Sequence, residues 1–143
     1  MSSWELEWWR IMFNDGMLIG IFVGLANCDI RIESNHRANL GYTIKPRIQI
    51  RGELPFLKQL KHALEMRHTN PHLKEIEGAN RNKPIITISR IHDLSIVCKM
   101  VPDYLEDARN QWKDFKRVIE LIENKKHLSL EGLDEILKIK ELI

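Results

Sequence analysis

Residues 17–33, MLIGIFVGLANCDIRIE, decide the expected fold, because an apolar helix here carries small residues and then runs into an acid. Gly20, Gly24 and Cys28 are spaced by four, so they lie on one face of a helix that we predict to end near Cys28. A helix face without bulk lets a second helix approach backbone to backbone. The alternative is a buried helix whose glycines permit tight packing inside one domain, and the spacing alone favours that alternative.

The acid that follows this helix, Asp29, gives the stretch a chemical meaning. If the partner is a copy of the same helix, two Asp29 carboxylates meet at a symmetry axis. Paired carboxylates hold divalent cations, which activate water and stabilise the transition state of phosphodiester hydrolysis. A homodimeric, metal-dependent nuclease is therefore one hypothesis for this chain.

Length and composition predict one domain over residues 1–143, since 43% hydrophobic and 29% charged residues are typical of a globular protein of this size. Cys28 and Cys98 lack the spacing of metal ligands, and we expect reduced thiols as in a cytosolic compartment. The apolar run 17–27 follows acidic residues and is shorter than the roughly 20 residues of a membrane span. We therefore expect an intracellular protein without a membrane partner.

Positive charge is concentrated between Asp29 and Arg51, although the net charge of the whole chain is only +2. Within this segment, residues 44–51 alternate, so that one strand face carries Lys45, Arg47, Gln49 and Arg51. Arginine reads guanine edges, glutamine pairs with adenine and lysine neutralises phosphate, so this face is a candidate groove reader. The alternative is an ordinary amphipathic strand with a solvated outer face.

The chain reads as helix, two strands, helix, two strands and further helices, which predicts an α+β fold. A four-stranded antiparallel sheet is expected with helices on one face, leaving the other face free for a ligand as wide as a duplex. The second hairpin should present Ile85, Thr87 and Ser89 on its outer face. After the first helix we predict strands over 29–36 and 42–51, a helix over 53–66, strands over 72–78 and 84–90 around a turn at 79–83, and helices over 93–105, 106–125 and 129–143.

Residues 22–30, FVGLANCDI, resemble the nine-residue motif of the LAGLIDADG homing endonucleases and maturases, with the helix glycine at Gly24 and the terminal acid at Asp29. Only one copy of the motif is present, and members of the family with one copy are homodimers. The resemblance covers about residues 17–142. Further segments that are similar to the family in order and spacing are 40–42, 45–50, 54–57, Trp112, 114–122, 126–128, 131–133, Ile136 and 139–140.

The resemblance implies a LAGLIDADG-type αββαββα fold with a saddle-shaped DNA-binding sheet and extra C-terminal helices. It implies a site-specific endonuclease, intron-encoded as in homing, in which Asp29 binds Mg²⁺ and Gln49 either orders catalytic water or contacts a base. The dimer contact falls on Gly20, Gly24 and Cys28. Double-stranded DNA is then gripped by Arg31, Lys45, Arg47, Gln49, Arg51, Thr87 and Ser89.

The chain departs from the family at positions that matter for cleavage. Asn27 replaces the first acid of the motif, Ile30 replaces the glycine after the second, and Ala108 aligns with the family's active-site lysine. Arg109 is the predicted catalytic substitute, with Lys99 as a second choice. These departures support an alternative, a degenerate maturase or regulator that binds DNA or RNA without cutting. A third hypothesis is a protein–protein module that uses the same sheet.

Overall fold

A computed structural model describes residues 13–76, 83–103 and 111–142 of the chain. The predicted turn over 79–83, apart from Lys83, and the predicted catalytic Arg109 lie outside these residues. The elements are α1 (Asp15–Leu25), β1 (Asn27–Ser34), β2 (Tyr42–Arg51), α2 (Leu54–Glu65), β3 (His72–Lys74), β4 (Ile85–Ile88), α3 (Ile91–Met100), α4 (Gln111–Glu123), a short 3₁₀ turn (Lys126–Leu128) and α5 (Leu130–Leu142).

Helix α1 ends three residues earlier than the sequence predicts. Its start is capped by the Asn14 side chain, whose Oδ1 accepts a hydrogen bond from the Met17 amide at 2.8 Å. The helix ends at Leu25, because the backbone of Ala26 is extended (φ −76°, ψ 143°). Cys28 and Ile30 then enter the core as alternating strand residues. The prediction that Cys28 closes the helix was therefore wrong, and Asp29 lies on β1.

The sheet has four antiparallel strands, as predicted, and the structure shows their order to be β1-β2-β4-β3. Strand β2 pairs with β1 over all eight residues of β1, and β1 is one edge of the sheet. Their hairpin closes through the Asn35 amide, which donates to the Gly41 carbonyl oxygen at 2.8 Å. Gly41 has a φ of 80°, a conformation that residues with a Cβ rarely adopt.

The second hairpin is shorter than predicted. Strand β3 has three residues and β4 has four, so Ser89 follows β4 instead of belonging to it. Ile85 shares the outer side of the sheet with Thr87 in the strand register, yet its side chain is 3% exposed. Burial of an apolar isoleucine side chain is favourable, and the prediction that Ile85 is exposed was wrong.

Helices α1 to α4 contact the sheet, α5 packs against α4 and the 3₁₀ turn, and the core lies between the helices and the sheet. Trp112 of α4 is at its centre, with no exposed surface. Its ring meets Phe22 of α1 and Phe115 of α4 edge to face, with centroid distances of 6.4 and 6.3 Å. Such aromatic pairs contribute about 0.5–1.5 kcal/mol each beyond the area they bury. The Phe22–Trp112 pair joins α4 to α1, next to the start of β1.

The remaining helices follow their predicted positions with shifted ends. Helix α2 lies within the predicted 53–66, while α3 starts earlier and ends earlier than the predicted 93–105. The predicted helix over 106–125 is described from Gln111, where α4 begins. Within the described ranges, no helix is long and apolar enough to cross a membrane.

Gly132, in the first turn of α5, packs so closely against neighbouring backbone that no side chain fits there. Its amide donates to the Ser129 Oγ at 3.1 Å, and an added Cβ would lie 1.8 Å from the Lys126 carbonyl oxygen. We expect Gly132→Ala to lower the free energy of unfolding by about 1–3 kcal/mol, because backbone must move to admit the methyl group. Urea denaturation measures the loss. Gly16→Ala is the control, since its Cβ would meet only the Asn14 Oδ1 at 3.4 Å, and equal stability of the two variants would contradict the prediction.

Candidate nucleic-acid interface

The outer face of the sheet, opposite the core, is polar along its first two strands. In β1 the buried Cys28 and Ile30 alternate with outward residues, and in β2 the buried Ile48 and Ile50 do the same. The alternation of residues 44–51 is therefore confirmed. The outward side chains of these two strands include Asn27, Asp29, Arg31, Glu33, Lys45, Arg47, Gln49 and Arg51.

One row of polar residues crosses all four strands. Gln49 is paired with Asn27 on one side and with Thr87 on the other, and Thr87 is paired with His72. Three steps of about 4.8 Å between strands make this row about 14 Å long, comparable to the roughly 12 Å width of a DNA major groove. His72 was not among the predicted site residues, because its place in the row depends on the register of β3, which no local pattern specifies.

The basic residues at the far end of β1 and β2 share one acid. Glu33 lies 3.0 Å from the Lys45 Nζ and 3.3 Å from the Arg31 guanidinium. The hydrogen bond from Lys45, followed by the charge of Lys45, holds the pKa of Glu33 below its usual range. Glu33 thus stays ionised and pairs with both cations. Because exposed ion pairs are weak, a phosphate group can exchange with the Glu33 carboxylate.

Asp29 lies between two cations. Its Oδ2 accepts a hydrogen bond from the Arg47 Nε at 3.0 Å, and its Oδ1 lies 3.7 Å from the Lys140 Nζ. Arg47 is the direct strand partner of Asp29, so this contact follows from the register. Lys140 reaches Asp29 from the last turn of α5, whose Ile136 and Ile139 pack on the core. Sequence reasoning missed Lys140, because only the packing of α5 brings it beside β1.

The Gln111 side chain fixes the junction between α1 and β1. Its Nε2 donates to the Ala26 carbonyl oxygen at 3.0 Å, and its Oε1 accepts from the Cys28 amide at 3.0 Å. These two bonds hold the extended backbone that follows α1, which sets Cys28 inward and Asp29 outward. We call this pair of bonds the Gln111 clamp. The sequence carried no local sign of it, since 83 residues separate Gln111 from Cys28.

The outer surface of α1 carries two of the three small residues predicted for a dimer contact. A Cβ added at Gly20 or Gly24 would meet nothing within 4 Å, so both glycines face open space in a single chain. Met17 and Leu25 on the same helix are large apolar residues that are exposed. The third residue, Cys28, is buried in β1 and is not part of this surface, which corrects the prediction that placed it on the helix.

Lys99, the second choice for the catalytic basic residue, lines a different part of the surface from Asp29. Lys99 lines a hollow between α3 and α4 together with Asp103 and Glu120, and Asp29 does not line it. Ser89 is exposed just beyond β4. Among the residues that the structure describes, no three His, Cys, Asp or Glu side chains cluster to hold a metal ion.

Solved structures show what this architecture resembles, whereas no family model and no curated protein matches the chain. The LAGLIDADG homing endonuclease I-LtrWI, bound to its target DNA, superposes with a TM-score of 0.76 over 92% of this chain. This chain has the LAGLIDADG homing endonuclease fold. The sequence identity to I-LtrWI is 19%, and the match covers 44% of that protein.

Two further structures with the LAGLIDADG fold differ in length. The homing endonuclease I-TnaI matches with a TM-score of 0.74 and 18% identity, over 92% of this chain and 88% of its own. The LAGLIDADG meganuclease I-CpaMI, bound to uncleaved DNA, matches with a TM-score of 0.71 and 24% identity over 90% of this chain and 44% of its own. The chain therefore spans most of I-TnaI and less than half of I-CpaMI and I-LtrWI.

Proposed function

We propose that this chain is a site-specific double-stranded DNA endonuclease that hydrolyses phosphodiester bonds as a homodimer. The reaction would use a divalent metal ion, which we expect to be Mg²⁺. The observation that carries the proposal is the position of Asp29, on the same outer sheet face as the basic and amide residues of β1 and β2. The LAGLIDADG proteins I-LtrWI and I-CpaMI are bound to DNA in their structures, which supports DNA as the ligand.

The outer sheet face offers both kinds of contact that a DNA reader needs. Lys45 and Arg51 are exposed cations that neutralise phosphates. Gln49 and Thr87, neighbours in the four-strand row, offer hydrogen-bond donors and acceptors to base edges. Gln49 takes the base-reading role in this proposal, because it sits within the row and is paired with Asn27.

The chemistry of Asp29 fits a hard divalent cation. A carboxylate is the ligand that Mg²⁺ prefers, and Mg²⁺ commonly takes one or two carboxylates together with substrate phosphate oxygens and water. Asp29 would hold the ion, while Arg47 keeps one carboxylate oxygen oriented through its 3.0 Å hydrogen bond. The ion, when bound, supplies an activated water and charge stabilisation at the phosphate.

A homodimer would complete the DNA-binding surface. The chain covers 44% of I-LtrWI and of I-CpaMI, so two copies correspond to the length of one such protein. The exposed surface of α1 with Gly20 and Gly24 is the proposed contact, since two helices without bulk can pack closely there. Each copy would bring its own Asp29 and its own outer sheet face to one long, nearly palindromic site.

The test of the proposal is cleavage of a library of long DNA duplexes by the purified protein in Mg²⁺. Cut products with a shared sequence support an endonuclease. Binding without products supports the second candidate, a degenerate DNA- or RNA-binding maturase or regulator. That candidate is favoured by one observation, the engagement of both Asp29 oxygens by Arg47 and Lys140.

The basic residues of β2 provide a prediction on binding. Lys45→Ala and Arg51→Ala should each weaken DNA binding and reduce the log–log salt slope by about one unit, because each removes one phosphate contact. Thermal stability should hardly change, since the core isoleucines of β2 remain. Lys58→Ala is the matched control, an exposed cation on α2. Binding and salt slopes that match the parent in both β2 variants would rule out the outer sheet face as the DNA surface.

A further inference from the structure

The two cations at Asp29 engage different oxygens and differ in how firmly they are held. Arg47 is the strand partner of Asp29 and donates a hydrogen bond to Oδ2 at 3.0 Å. The Lys140 Nζ lies 3.7 Å from Oδ1, beyond the usual length of a charge-assisted hydrogen bond. Its side chain is 42% exposed and comes from a different element, α5. Arg47 is therefore the fixed cation and Lys140 is the one that can leave.

Lys140 and a divalent cation would compete for one place. A metal ion on Oδ1 and an ammonium group 3.7 Å from the same oxygen repel each other. The presence of Lys140 at Oδ1 therefore weakens metal binding there, and a bound metal weakens the ion pair of Lys140 with Asp29. Because Asp29 lies on the outer sheet face and Lys140 contacts it, a displaced Lys140 would remain near that face, within reach of a bound polyanion.

We propose that Lys140 is an exchangeable counterion of Asp29, which holds Oδ1 in the free protein and yields it to a divalent metal ion. Lys140 is in this sense a positioning residue for the carboxylate. The inference rests on the proposed function, because it gives Asp29 a metal to bind. A phosphate that attracts the Lys140 ammonium frees Oδ1, so DNA and metal would each promote the binding of the other.

The test measures Mn²⁺ binding to the free, full-length protein. Electron paramagnetic resonance detects the bound Mn²⁺, and no DNA is present. Lys140→Met should tighten Mn²⁺ binding about two- to fivefold, as expected from removal of one exposed charge partner. Lys138→Met is the matched control, because its Nζ pairs with Asp134 at 3.0 Å within α5, and it should leave Mn²⁺ binding unchanged. Lys140→Arg, which keeps the charge, should behave as the parent.

A double-mutant cycle with Asp29→Asn separates this role from a general effect of charge. Lys140→Met should have no effect on Mn²⁺ binding in the Asp29→Asn background. The inference is overturned if Lys140→Met binds Mn²⁺ as the parent does, if its effect persists without Asp29, or if no Mn²⁺ binding depends on Asp29. Failure of the parent protein to cut any duplex would overturn the proposed endonuclease while leaving the Mn²⁺ result standing.

Discussion

Asp29→Asn is expected to abolish DNA cleavage and to preserve DNA binding. The substitution keeps the size of the side chain and removes the charge that would hold the metal, so the cleavage rate should fall by more than about a hundredfold. Binding without metal should tighten, because Arg47 and Lys140 lose their common counterion and the outer sheet face becomes more positive. Cutting and gel-shift assays on one target duplex measure the two effects.

The control for this variant is Asp134→Asn, an exposed acid on α5 that pairs with Lys138. It removes the same charge away from Asp29 and should cut at the parental rate. If Asp29→Asn also cuts at the parental rate, Asp29 is not the metal ligand and the proposed nuclease mechanism must be abandoned. Loss of both cutting and folding, seen by thermal unfolding, would instead assign Asp29 to the stability of β1.

Gly24→Leu is expected to separate the two copies of the chain without harming either one. A Cβ at Gly24 meets nothing within 4 Å in a single chain, and leucine favours helix over glycine by roughly 0.8 kcal/mol, so each copy should fold at least as well as before. At a close helix contact the same side chain is too large, and overpacking costs about 1–3 kcal/mol or more. Sedimentation at micromolar concentration should show a dimer for the parent and a shift to monomer for the variant.

Gly24→Ala provides a graded comparison, since its single methyl group should weaken the dimer less than leucine does. Cleavage should fall with the fraction of dimer, because one copy brings a single Asp29. A parent protein that is a monomer at micromolar concentration, or a Gly24→Leu variant that remains fully dimeric, would contradict the contact proposed on α1.

The residues of the outer sheet face were predictable, because the alternation of apolar and polar residues within one strand is enough to identify them. Strand residues alternate between two faces, so the run from Ile44 to Arg51 specifies which side chains are buried and which are not. The same alternation was present at Cys28 and Ile30, and it conflicted with the spacing of four that linked Cys28 to the glycines of α1. Cys28 is buried in the core as a strand residue, so the alternation was the correct pattern and the predicted end of the helix was wrong.

The surroundings of Asp29 were not predictable, because they arise from tertiary packing. Lys140 and Gln111 belong to helices with ordinary amphipathic patterns, and nothing in those patterns marks either residue as a neighbour of β1. The register of the short β3 strand was equally hidden, since three residues carry too little hydrophobic pattern to fix a pairing. His72 enters the polar row only through that pairing.

The Gln111 clamp limits how this chain can be re-engineered by exchange of parts. The side-chain amide of Gln111 satisfies one backbone donor and one backbone acceptor at the α1–β1 junction. Two hydrogen bonds of the first half of the chain therefore depend on a residue of the second half. A chimaera that grafts α1 and the β1–β2 hairpin onto another helical layer would leave the Ala26 carbonyl and the Cys28 amide unsatisfied. Any exchange of these elements must therefore carry α4 along with the hairpin, or supply a glutamine at the equivalent place in the new host.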